Sequence, residues 1–344
     1  MTATVASPSA TVRRESLARN ALVTVSLSVV LVVAICVSIS VGDFPIPLTD
    51  IILAILGTGT DDAEFIVRTL RLPRALTGLL VGVSFGLAGA IFQSLARNPL
   101  ASPDIIGIDA GASAAAVFCI VVLGASTGTT AIGAVTGALV AALAIYLLAW
   151  TSGVSAYRLV LVGVGIAALL SAVTQYLLTR AEIFEAQRAV VWLTGSLNAR
   201  GWEHVRTVAL ADIVLVPALA CLAASLRMLL LGDDTAKGLG VRVERDRLLL
   251  VLVAVALAGT ATAAAGPIVF VAFVAAPIAR RLTGDPLALV PAALVGAVLV
   301  VVSDLLARRL FAPTELPVGV VTGVVGAPYL LWLIARSNRV GRGG

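Results

Sequence analysis

The chain has 344 residues, of which 60% are hydrophobic and only 12% charged, with a mean hydropathy of +1.07. Soluble domains are roughly 45–50% apolar and about 25% charged, so a water-soluble globular protein is excluded. The formal charge of +5 does not indicate nucleic acid, because the basic residues sit in the loops and termini between apolar runs. Apolar runs of about 20 residues, the length that crosses a bilayer, recur along the chain. They lack the alternation of a transmembrane β-barrel. The fold class expected is all-α: a polytopic membrane protein of about ten transmembrane helices.

In chain order, a polar segment 1–20 carrying Arg13, Arg14 and Arg19 precedes the first apolar run, 21–41. That run exceeds the roughly 7–15 residues of a signal-peptide core, so it reads as an uncleaved span behind a cytoplasmic tail. Further spans are expected at 75–96, 104–124, 129–150, 158–179, 206–230, 247–264, 268–281, 289–308 and 316–336, forming one permease domain over 21–336. An even number returns the tail 337–344 to the cytoplasm. The charges agree: 15 of the 24 basic residues fall on the N-terminal side and nine on the other.

Between spans, PIPLTDIILAILG (45–57) and the segment 180–202 read as amphipathic pieces at the interface, with Trp192 and Trp202 as headgroup anchors. Gly78, Gly82, Gly86 and Gly89 stripe the second span at helical spacing, which suits close helix packing. Pro99 ends that span, since proline disfavours helix in the residue before it. Pro103 with Asp104 suits a new helix start. The loop 232–247 holds acids Asp233 and Asp234. It also holds a short helix-prone piece, Ala236 to Gly240, stopped by Gly238 and Gly240.

Much chemistry is missing from the sequence. The one lysine, Lys237, stands between Ala236 and Gly238, so no phosphate-gripping G-x-x-x-x-G-K-[ST] loop exists. There is no HExxH or Cys-x-x-Cys. Cys36, Cys119 and Cys221 lie in separate spans and His204 stands alone, so no metal site is expected. Asp109, Asp212 and Asp304 fall in or near spans and would serve a rival reading, an ion-coupled carrier.

Four segments together resemble one family: RLPRALTGLLVGVSFGLAGAIFQSLARNPLASPDIIGIDAGA, DDTAKGLGV, GPIVFVAFVAAPIARRLTG and SDLLARRLFAPTELPVGVVTGVVGAPYLLWLI. They are similar to the FecCD-type permeases, the membrane subunits of type II ABC importers for iron-siderophores and vitamin B12. Where that family often carries histidines, this chain has Ile278 and Pro286, which tilts the resemblance towards ferric siderophores, with vitamin B12 or haem as alternatives.

The resemblance implies a non-enzymatic permease in the bacterial plasma membrane, paired with an identical or homologous permease. Two ABC ATPase subunits would bind ATP and Mg, and an external substrate-binding lipoprotein would deliver cargo; this chain itself would hold no cofactor. It further implies that Arg71, Arg74 and Arg308 (with Arg309 an alternative to Arg308) dock the binding protein. Asp233, Asp234, Ala236, Gly238 and Gly240 would couple to the ATPase, and Thr174, Gln175 and Thr322 would line the translocation pathway.

Overall fold

A computed structural model describes residues 8–150 and 156–340, and the described residues are overwhelmingly helical. Fourteen helices follow one another: α1 (Pro8–Ser40), α2 (Leu48–Leu56), α3 (Asp61–Ala96, with a π-helical stretch at Phe65–Arg71), α4 (Pro103–Ile106), α5 (Ile108–Val121), α6 (Thr127–Ala149), α7 (Ala156–Arg180), α8 (Ile183–Leu193), α9 (Trp202–Leu229), α10 (Asp233–Gly238), α11 (Val243–Ala265), α12 (Val271–Thr283), α13 (Leu289–Arg309) and α14 (Val318–Val340). Nine of the ten expected spans correspond to one helix each and the span 104–124 to two, and among the described residues seven helices are long and apolar enough to cross a bilayer. The first helix starts at Pro8, so much of the polar segment 1–20 extends the first span. Residues 1–7 and 341–344 of the expected tails lie outside the described residues.

Two helices form the axis of the bundle. The most hydrophobic stretches of α3 and α11 are 78% and 72% buried, against 11% for α7 and 17% for α9. Leucines and valines on α6, α7 and α9 point outward, as expected where lipid replaces water. α3 packs along α13 so closely that a side-chain carbon at Gly82 would meet the Ala297 Cα at 2.5 Å, while Gly86 and Gly89 abut the backbones of Ala292 and Ala272. Small residues permit this where lipid supplies no hydrophobic drive for helix association.

Two left-handed breaks interrupt the run of helices. Gly107 (φ 92°) separates α4 from α5, and Gly266 (φ 76°) to Phe270 (φ 67°) separates α11 from α12. The two breaks meet, because the Phe270 backbone N–H donates to Asp104 Oδ2 at 3.1 Å. The span expected at 104–124 is therefore a short α4 plus α5, capped by Ser102, and the one at 268–281 begins only at Val271. The expected interfacial pieces form α2, which ends at Gly57 (φ 78°), and α8. The tryptophans do more than anchor: Trp202 Nε1 donates to the Arg68 carbonyl at 2.8 Å, and Trp192 packs against the core.

Candidate functional site

The bundle has two chemically distinct ends, joined by α3. Its Arg74 lies at one end and its capping residue Arg97 at the other, 23 residues on or about 35 Å at helical rise.

At the first end, Asp304 of α13 is 3% exposed and sits between two guanidiniums. Arg74 grips it with Nε at 3.1 and 3.2 Å and Nη2 at 2.9 Å, and Arg308 Nε lies 3.2 Å from its other oxygen. Arg74 Nη1 also donates to Glu315 at 3.0 Å, and Arg308 Nη2 donates to Ser38 Oγ at 2.6 Å. Arg71 donates to the carbonyls of Ile39, Ser40 and Phe44 at 2.7, 3.2 and 2.6 Å, closing the turn between α1 and α2. So Arg71, Arg74 and Arg308 do share one end, but each is held by internal partners. Arg68, half exposed beside Glu64 at 3.6 Å, and Arg309, 3.4 Å from the exposed Asp43, present more of their charge outward.

Beside this cluster a cavity of about 870 Å³ opens between α8, the loop 194–201 and the start of α9. Its walls include Thr130, Arg188, Trp192, Arg200, His204 and Glu315, so Glu315 borders the cavity and bonds Arg74. Arg200 donates to the Ser196 carbonyl at 3.2 Å and its Nη1 lies 3.1 Å from His204 Nε2. Burial pushes the Arg200 guanidinium down from its ordinary value, while Glu203 pulls it up. Most of its wall is the contiguous segment 184–204, and it is closed by residues near 120–130 and by 315–317, which sequence spacing does not bring together.

The residues expected to line a pathway do not gather. Thr174 and Thr322 are buried, and their hydroxyls donate to the Leu170 and Gly319 carbonyls of their own helices at 2.9 and 3.1 Å. Gln175 is exposed on the outward face of α7. The three acids considered for ion coupling also stand apart, on α5, α9 and α13. Asp109 accepts from Thr262 at 3.1 Å and Asp212 accepts from Ser84 at 2.8 Å, whereas Asp304 holds the two arginines. Among the described residues, no group of three or more His, Cys, Asp or Glu side chains is placed to hold a metal ion.

At the second end, the expected short helix is α10, one turn earlier than the Ala236–Gly240 piece. Asp233 and Asp234 sit in its first turn, where the positive end of the helix favours acids. Ala236 is fully buried in the core with Leu229 and Val243, and seats the helix. Gly238 and Gly240 face open space, Gly240 at φ 86°. Leu231 and Leu239 stand 64% and 57% exposed on either side, an apolar pair on an otherwise charged loop. Asp233 accepts from Arg97 at 3.1 Å and from Arg247 at 2.8 Å.

A packed helical axis, breaks that meet inside it and a charged element at each end define a polytopic helical membrane protein. Comparison with known proteins places it further. The model of the FecCD transport family matches residues 30–336. The ferric enterobactin transport system permease protein FepG of Escherichia coli (strain K12) is 42% identical over 87% of this chain and 91% of its own length. The achromobactin transport system permease protein CbrC of Dickeya dadantii (strain 3937) is 43% identical, covering 91% of each chain. A metal-chelate type ABC transporter solved in an inward-facing conformation superposes with a TM-score of 0.80 at 26% identity, over 91% of this chain and 98% of that one. The chain belongs to the FecCD transport family.

Proposed function

We propose that this chain is the permease subunit of an ABC importer that carries a ferric siderophore across the bacterial plasma membrane. The observation that carries this reading is the family match over residues 30–336, joined to relatives named for siderophore transport at 42% and 43% identity. The chemistry of the chain agrees with it: without a G-x-x-x-x-G-K-[ST] loop, ATP hydrolysis by that route falls to partner subunits.

In this reading two ATPase subunits bind ATP and Mg and engage α10 at the cytoplasmic side, where both termini of the chain also lie. A second permease, identical or homologous, completes the pathway by covering part of the outward faces of α7 and α14. An external binding lipoprotein docks at the opposite end, around Arg71, Arg74 and Arg308, and releases cargo towards the cavity beside Glu315. Thr174, Gln175 and Thr322 belong to the pathway, with Gln175 the most open to it. Hydroxyls and amides suit a route that passes a chelated iron without stripping it, because hard carboxylate ligands there would compete for the metal.

The test is uptake of radiolabelled ferric siderophore by proteoliposomes containing the permease, its ATPase and its binding protein. Uptake is expected to require ATP, to be blocked by vanadate and to survive a collapsed proton gradient. Accumulation by the permease alone, or loss of uptake on collapsing the gradient, would assign the chain to the ion-coupled carriers.

A further inference from the structure

Each oxygen of Asp233 holds a guanidinium from a different helix: Oδ1 takes Arg97 from the end of α3 at 3.1 Å, and Oδ2 takes Arg247 from the first turns of α11 at 2.8 Å. Arg97 is placed for this by its left-handed backbone (φ 48°), which turns the chain out of α3. Arg247 is nearly buried, with Glu244 3.6 Å from its other nitrogen. The element α10 thus has two attachments, the buried Ala236 beneath it and the carboxylate at its start. Through that carboxylate it is tied to α3 and α11, the two long helices whose apolar stretches are most buried.

We infer that Arg97 is a positioning residue which, through Asp233, splints α10 to the end of α3, so that force applied at α10 enters the central helices rather than a flexible loop. This rests on the reading of α10 as the element that meets the ATPase. A six-residue helix on a free loop would tilt under load and dissipate the motion. Fastened to two rigid rods by charge-assisted bonds, it moves with them. The exposed Arg97 contact (48% of its side chain accessible) is the adjustable part of the splint, and the buried Arg247 contact is its fixed part.

The experiment uses the full transporter in proteoliposomes and measures ATP hydrolysis and siderophore uptake together. In Arg97→Ala, hydrolysis should continue while uptake per ATP falls about tenfold, within the range seen when one member of a coupling network is removed. Arg97→Lys should restore most of the ratio, and Arg97→Ala combined with Asp233→Ala should be no worse than Asp233→Ala alone. A wild-type ratio in Arg97→Ala, or a loss of uptake fully explained by lower yield of assembled transporter, overturns the inference. Gly238→Trp tests the underlying reading separately. If that bulky side chain leaves hydrolysis and uptake intact, α10 does not meet the ATPase, whatever Arg97 does.

Discussion

Arg74 and Asp304 form a two-pronged ion pair, with Nη2 2.9 Å from Oδ1, between helices that are 230 residues apart in the chain. Arg308 completes a charge sandwich around the same carboxylate. Removing that carboxylate would take the shared counter-charge from two guanidiniums at a site where only 4% of the Asp304 side chain is accessible, leaving Arg74 with Glu315 and Arg308 with Ser38. Asp304→Ala should therefore destabilise the permease by about 3–5 kcal/mol, the cost of breaking a buried pair from one side. Thermal unfolding in detergent checks this. Replacing Arg74, Asp304 and Arg308 together by apolar residues of similar volume should recover much of the loss, because a buried ion triad as a whole adds little over well-packed apolar groups.

For docking, Arg71→Glu would place an acid against the carbonyls of Ile39, Ser40 and Phe44, so it should lower stability as well as delivery. The cleaner probe is Arg68, whose side chain is 52% accessible. Arg68→Glu should slow capture of the cargo-loaded binding protein without shifting the unfolding temperature. The wild-type rate of capture should itself fall as salt rises, since opposite charges at a wet interface act mainly on encounter. Capture rates followed by surface plasmon resonance at two salt concentrations would expose an error here if they are identical.

At the other end, Gly238 and Gly240 are not equivalent probes. A side chain at Gly238 meets nothing within 4 Å, whereas Gly240 sits at φ 86°, where any other residue is strained. Gly240→Ala should cost about 1 kcal/mol on backbone grounds alone. Gly238→Trp should leave the unfolding temperature of the isolated permease unchanged while abolishing co-purification with the ATPase.

Along the axis, Gly82→Val would force a branched side chain into the Gly296–Ala297 backbone. Overpacking of this kind costs about 1–3 kcal/mol even when flexible neighbours can yield, and a helix backbone yields least. The expected outcome is a loss of folded protein in size-exclusion profiles. Gly165→Val, at a site with open space around it, should be tolerated.

Gln175 can be tested by thiol labelling in a background where Cys36, Cys119 and Cys221 are serine. If the open face of α7 borders an aqueous pathway, Gln175→Cys should react with a membrane-impermeant maleimide. A lipid-facing position would stay unlabelled.

Much of this architecture is legible in the sequence because its causes are local. A run such as 21–41 must be helical in lipid, since only intrahelical bonds satisfy its backbone there. Pro99 and Pro103 mark where α3 ends and α4 begins, and the Gly78–Gly89 stripe announces a close partner helix. The break at Gly266 falls between the spans expected at 247–264 and 268–281, whereas the one at Gly107 is harder to read, because an apolar run such as 104–124 looks alike whether its helix is continuous or interrupted. The pairing of Phe270 with Asp104, 166 residues away, leaves no trace in either local pattern.

The charged residues divide the same way. Sequence alone settled the membrane environment, the helical class and the presence of basic clusters at the span ends, all consequences of composition and period within a few turns. Only the tertiary structure decided which charges are spent internally: Arg74 on Asp304 and Glu315, Arg71 on three carbonyls, Arg97 on Asp233 across 136 residues. An ion pair depends on distances of a few ångströms between distant segments, and those distances exist only after the helices have packed.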